Sequence, residues 1–143
     1  HCMCEENLRT ILSWPFVMVG SDSGVRTADV ERRKGKPHPR SFGTSPRVLG
    51  RYVRQTGLLT LAEAIHKLSG QPAARMKLER RGRLRKGCFA DITVFDPETV
   101  IDNATFEDPF RYPTGIDFVI VNGVVTVRHG EHTGTKAGRI LRK

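Results

Sequence analysis

The apolar run Phe16-Val17-Met18-Val19 stops at Gly20-Ser21-Asp22-Ser23. A continuous apolar stretch ended by small residues is the pattern of a parallel strand buried on both faces. Such a strand needs neighbouring strands and crossover helices. With an acid at its tip, and His38-Pro39-Arg40 after a polar loop, it reads as the last strand of an α/β barrel, where residues at C-terminal strand ends carry chemistry rather than stability. A complete eight-stranded barrel takes roughly 250 residues, and this chain has 143. Most of any barrel is therefore expected to lie outside these residues, in keeping with a start at His1 rather than Met.

Composition narrows the class. With 38% apolar, 27% charged and 7% aromatic residues, the chain reads as soluble and globular, neither disordered nor fibrous. No apolar stretch approaches the roughly 20 residues of a spanning helix, and the start has no basic-then-apolar signal pattern, so no membrane association and a cytoplasmic location are expected. Cys2 and Cys4 stand too close for an ordinary bridge and the cysteine count is odd, which argues for a reducing compartment. His1-Cys2-Met3-Cys4 invites a metal reading, but no second Cys/His pair stands at zinc-finger spacing, and the segment reads better as the lead into a helix. The formal charge of +9 raises the question of an anionic partner. Its carriers are spread over Arg32-Arg33-Lys34, the run from Arg80 to Lys86, and Arg139 with Arg142 and Lys143. No aromatic residues interleave these runs, so solvated surface is the simpler account than nucleic-acid binding.

Periodicity predicts a helix from Glu5 to Trp14, with Leu8, Ile11 and Leu12 on one face and Pro15 ending it. Asp22 to Pro39 reads as a long polar loop overhanging the strand end. Ser45-Pro46 has the form of an N-cap followed by Pro at the first helical position. The helix it predicts runs to Gly57, apolar at Val48, Leu49, Tyr52 and Val53, with Arg47, Arg51 and Arg54 on the opposite face. Thr60-Leu61-Ala62-Glu63 is a capping-box pattern, and Leu61, Ala64, Ile65 and Leu68 follow at helical spacing until Ser69-Gly70 closes the element. Pro72 then starts a further turn through Met76. His66 reads as a surface residue.

Beyond residue 77 the pattern turns to strands. Gly87 to Phe95 alternates, and Phe118 to Val127 is a hairpin signal centred on Asn122-Gly123. Both faces of that hairpin are apolar, so both are expected to be covered. Glu98 to Gly115 reads as an irregular connection.

Asp22 is the leading candidate for chemistry. A carboxylate at a strand end can ligate a divalent metal and carry a proton from an attacking water to a leaving group; Ser-Asp-Ser-Gly is also ordinary turn chemistry. Arg40 presents a planar fork of donors suited to a carboxylate, and His38 stands beside it to assist. His129 and His132 make a weak candidate metal pair, more plausible as exposed turn residues.

Gly20-Ser21-Asp22, His38-Pro39-Arg40, Gly43-Thr44, Pro46 to Arg54, Pro72-Ala73, Arg81-Gly82-Arg83-Leu84 with Gly87, and Ala90-Asp91 with Val94-Phe95-Asp96-Pro97 stand in order along the chain. Ala104 to Pro109, Gly115-Ile116, Val121-Asn122-Gly123 and His132-Thr133-Gly134 continue the series. Together they resemble the C-terminal portion of the N-acyl-D-amino-acid deacylases of the amidohydrolase superfamily, over nearly the whole chain. The resemblance implies an α/β plus β fold: the C-terminal end of a metal-dependent TIM-type barrel (last strand and flanking helices) in residues 1–77, then a small β-sandwich portion in 78–143. It also implies zinc as cofactor and an N-acyl amino acid as small-molecule substrate. Asp22 would be metal ligand and proton shuttle, and Arg40 would hold the substrate carboxylate. The family's other metal ligands lie on earlier strands, so the missing N-terminal barrel portion is a required partner and residues 1–143 alone are expected to be inactive. Ser45 stands where the family commonly has an aromatic residue, and Leu68-Ser69-Gly70 replaces a more usual Met-Thr-Ser. Two other readings stay open: an amidohydrolase opening cyclic amides, like dihydroorotase or hydantoinase, and a non-catalytic basic module that binds nucleic acid.

Overall fold

The computed structural model describes residues 4–141, so most of the His1-Cys2-Met3-Cys4 segment lies outside the described residues; Cys4 itself is exposed. Helix α1 spans Glu5–Ser13 and buries Leu12. Helix α2 runs Arg40–Arg47 and continues with wider π winding through Val48–Gln55. Helix α3 runs Leu61–Ile65, His66–Gly70 as a π turn, and Gln71–Arg75. Strands β1 (Ile92–Phe95), β2 (Ile116–Val121), β3 (Val124–Arg128) and β4 (Glu131–His132) pair antiparallel in chain order as one four-stranded sheet.

Two elements form as their sequences dictate. Thr60 accepts from the Glu63 amide while the Glu63 carboxylate accepts from the Thr60 amide, the reciprocal capping box. That backbone hydrogen bond and the Thr60 hydroxyl hold the Glu63 carboxyl below its ordinary range. At the hairpin, Asn122 (φ 51) and Gly123 (φ 84) both adopt the left-handed conformation that a type I′ turn requires. The turn is anchored from outside, since the Asn122 amide donates to Asp91 Oδ1 at 2.8 Å and Arg81 Nη2 donates to Asn122 Oδ1 at 2.7 Å.

Pro15 and Phe16 form a turn, and Val17 to Val19 join no ladder among the described residues, where the neighbours that a parallel strand needs are not present; the Val19 amide donates to Lys67 O at 3.2 Å. Three expectations are corrected. Ser45-Pro46 does not start α2. The helix begins at Arg40 with Pro39 as N-cap, and Pro46 lies inside it. A proline there forfeits one backbone bond, and the wider winding starts two residues later. Gly70 does not end α3 either, being right-handed helical at φ −63. The loop that crosses the helix there depends on Gly82, at φ +74, where a Cβ would stand 2.5 Å from Ala73 Cβ and 3.0 Å from Ser69 O. Finally, the hairpin is only partly covered. Val124 is exposed and most of β2 is half-buried, beside an open groove of about 660 Å³ between α2, α3 and the sheet.

The core joins both halves of the sequence: Leu12, Val48, Leu49, Tyr52, Leu59, Ala64 and Val100 are buried together, with Phe95 and Ile116 against them. Val100, the largest fully buried side chain at 1% exposure, comes from the stretch that reads as an irregular connection. That stretch lies along one face of α2. A Cβ on Gly50 would stand 2.6 Å from Val100 O and 2.5 Å from Ile101 Cδ1, and Arg54 Nη1 donates to Pro97 O and Val100 O at 2.9 and 2.7 Å. Gly115, at φ +77, passes so close behind that a Cβ would meet Val100 N at 2.5 Å. In an open helix Gly→Ala stabilises by about 1 kcal/mol. At Gly50 the sign should reverse: Gly50→Ala is expected to lower the free energy of unfolding by about 1–3 kcal/mol in urea titrations, and a neutral or stabilised variant would refute this packing.

Candidate functional site

The loop after Val19 turns back through Asp22, whose left-handed backbone (φ 49) an aspartate tolerates better than most residues. Its side chain is 84% exposed and faces Arg40 at the start of α2. Arg40 Nη2 donates to Asp22 Oδ2 at 2.6 Å, and Arg40 Nε donates to the Asp22 carbonyl at 3.2 Å. One guanidinium thus grips both the side chain and the backbone of the same residue. The neighbouring residues tie the two loops again, Ser23 Oγ donating to Ser41 Oγ at 2.7 Å.

His38 accepts the Arg40 amide hydrogen on Nδ1 at 3.1 Å, which occupies one of the unpaired amides at the helix start. Its ring stands edge-on to Phe106 at 4.8 Å. The three residues singled out in the sequence are therefore brought together: Asp22 and Arg40 in direct contact, and His38 bound to the backbone that carries Arg40.

Beside them is a pocket of about 410 Å³ whose lining includes His38, Arg40, Thr44, Arg47, Asp102 and Phe106. Its floor is an ion pair between Arg47 Nη1 and Asp102 Oδ2 at 3.0 Å, with the Asp102 side chain only 10% exposed. Burial alone would lower the Arg47 pKa, but the hydrogen bond and charge of Asp102, with a contribution from Tyr52, leave it raised. At the rim, its own backbone amide and the Thr105 hydroxyl hold the Glu107 carboxyl below its ordinary range. Asp102, Phe106 and Glu107 were not legible as site residues. The one available signal was a cluster of polar residues in a connection too long to be a simple turn.

His129 and His132 do not converge on a site. His129 packs edge-on against Phe118 at 5.1 Å, and His132 Nδ1 accepts from the Gly134 amide at 2.9 Å. Among the described residues no three His, Cys, Asp or Glu side chains are placed to hold a metal ion. Asp22 alone, with one oxygen on Arg40, does not fit a metal without further donors.

Residues 9–127 match the amidohydrolase family, and the chain belongs to that family. Within it, the chain is 45% identical over 139 residues to the D-aminoacylase of Alcaligenes xylosoxydans xylosoxydans and 42% identical over 141 residues to the N-acyl-D-glutamate deacylase of the same organism. These alignments take in 97% and 99% of this chain but 27% of each relative, so the chain spans about a quarter of their length. A crystal structure of D-aminoacylase superposes with a TM-score of 0.89 at 42% identity, over 99% of this chain and 28% of that one. The N-acyl-D-glutamate deacylase of Bordetella bronchiseptica, solved with zinc and a phosphonate mimic of the tetrahedral intermediate, superposes at 0.86 with 38% identity, over 99% and 28%.

The Arg47–Asp102 pair gives a direct test. Arg47→Met would leave the Asp102 carboxylate nearly buried and unpaired, at a cost of about 2 kcal/mol at neutral pH. Adding Asp102→Asn should recover part of it, as urea unfolding of the single and double variants would report. Equal stability of all three proteins would show that the pair carries no weight.

Proposed function

We propose that this chain is the C-terminal part of a zinc-dependent amidohydrolase that cleaves the amide of N-acyl-D-amino acids, with its domain boundary near residue 77. Residues 1–77 would close the barrel and residues 78–143 would belong to the β-sandwich portion. Similarity to two deacylases acting on N-acyl-D-amino acids supports the substrate class. The zinc of the Bordetella relative supports the metal, with Asp22 as one donor and the remaining ligands outside these 143 residues.

The observation that carries the reading is the contact between Asp22 and Arg40. An exposed carboxylate can accept a proton from the water that attacks the acyl carbonyl and return it to the departing amine nitrogen. A guanidinium fork beside it can take the carboxylate that every N-acyl amino acid carries. An exposed ion pair of this kind is worth at most about 1 kcal/mol, so a substrate carboxylate can draw Arg40 away and leave Asp22 free to accept the proton. His38 keeps the Arg40 backbone in place through its Nδ1 contact. A cyclic-amide substrate without a free carboxylate would leave Arg40 unused.

The matched segment of the Alcaligenes D-aminoacylase, replaced by this chain, should yield a chimera that releases D-amino acids from their N-acyl forms. In that chimera Asp22→Asn is expected to lower kcat by about 10³-fold with little change in KM. Arg40→Ala is expected to raise KM steeply for acyl amino acids but not for acyl amines that lack the carboxylate. A folded, zinc-loaded chimera without deacylase activity, or an Arg40→Ala variant with unchanged KM, would overturn the reading.

A further inference from the structure

Lys67 is 4% exposed, on the inner face of α3. Lysine is almost never buried to that degree without a partner, and among the described residues it forms no salt bridge. Its ammonium instead donates to two backbone carbonyls, Trp14 O at 2.5 Å and Val17 O at 3.1 Å. One turn further along α3, Gln71 Nε2 donates to Pro15 O at 3.0 Å, and the Lys67 carbonyl accepts the Val19 amide hydrogen at 3.2 Å. A single face of α3 therefore holds the backbone at residues 14, 15, 17 and 19 of the segment that leads into Asp22.

We propose that Lys67 is a positioning residue: its buried ammonium fixes the course of residues 14–19 and thereby sets where Asp22 meets Arg40. The functional consequence rests on the reading of Asp22 as the proton carrier. Desolvating an ammonium is costly, and Leu or Met would fill the same volume without that cost. What an apolar side chain cannot supply is several donors at one point, and two carbonyls three residues apart are turned toward that point. Within the segment only the Val17 amide turns back, donating to Trp14 O at 3.2 Å across Pro15, which has no amide hydrogen of its own; α3 supplies donors to the Pro15 and Val17 carbonyls and a second one to Trp14 O.

The position of Asp22 can be read without activity, because Arg40 Nε–H donates to the Asp22 carbonyl. In nuclear magnetic resonance spectra of the 143-residue chain, the Arg40 Nε–H signal is expected at a shift distinct from that of a free arginine. It should collapse to that of a free arginine in Lys67→Met and persist in Lys67→Arg, which keeps the donors. In the deacylase chimera, Lys67→Met should lower kcat by about 10²-fold while KM changes by less than about threefold, and Lys67→Arg should restore most of the loss. If Lys67→Met does not fold, Lys67→Ala decides, with loss of the distinct Arg40 signal in a folded variant expected and an unchanged signal overturning the proposal. A distinct Arg40 signal in folded Lys67→Met, or equal loss in the Met and Arg variants, overturns it as well. An inactive unmodified chimera would strike at the functional reading alone, and the spectroscopic comparison would still decide the role of Lys67.

Discussion

The architecture depends on how closely the segment from Pro97 to Asp102 approaches α2. Gly43, Arg47, Gly50 and Arg54 fall on one helical stripe, at steps of four, three and four residues. The two glycines remove the side chains that would hold the segment off, and the two arginines supply donors to carbonyls and a carboxylate that would otherwise be buried unpaired. With the segment seated, Val100 enters the core between α2 and the first strands of the sheet. Helical and strand portions then share one interior, and the pocket beside Arg40 acquires its floor.

The candidate site takes its shape from the same docking. Asp22 comes from the loop after α1, Arg40 and His38 from the start of α2, and Asp102 and Phe106 from the connection that α2 holds in place. These three stretches meet through side chains, without a shared ladder. The geometry is thus set by a few named contacts, several of them ionic or aromatic.

The legible parts of this molecule were those whose cause is local. A capping box and an Asn-Gly turn satisfy backbone requirements within four residues, and both stand where sequence places them. Asp22 and Arg40 were legible as chemical types, and the structure brings the two side chains into contact. The misreadings share one cause, long-range packing. Gly70 looks like a helix stop and instead continues α3 beneath the loop at Gly82. Ser45-Pro46 looks like a helix start and lies inside α2 because the preceding turn is already wound from Pro39. Arg47 and Arg54 stand opposite the apolar face of their helix, and the carboxylate and carbonyl they grip lie more than forty residues away. Residues 16–19 are a different case: they join no ladder among the described residues, and a parallel strand is defined by its neighbours as much as by the segment itself.

The left-handed backbone at Asp22 narrows what evolution can try there. Aspartate, asparagine and glycine accept that conformation at small cost; a β-branched or bulky residue would twist the loop away from α2. Of the three, one carries a charge, one keeps shape without charge, and one keeps neither. Exchange to Asn or Gly would therefore keep the loop while removing the charge that Arg40 meets, the Asn form differing from the present one by a single atom type.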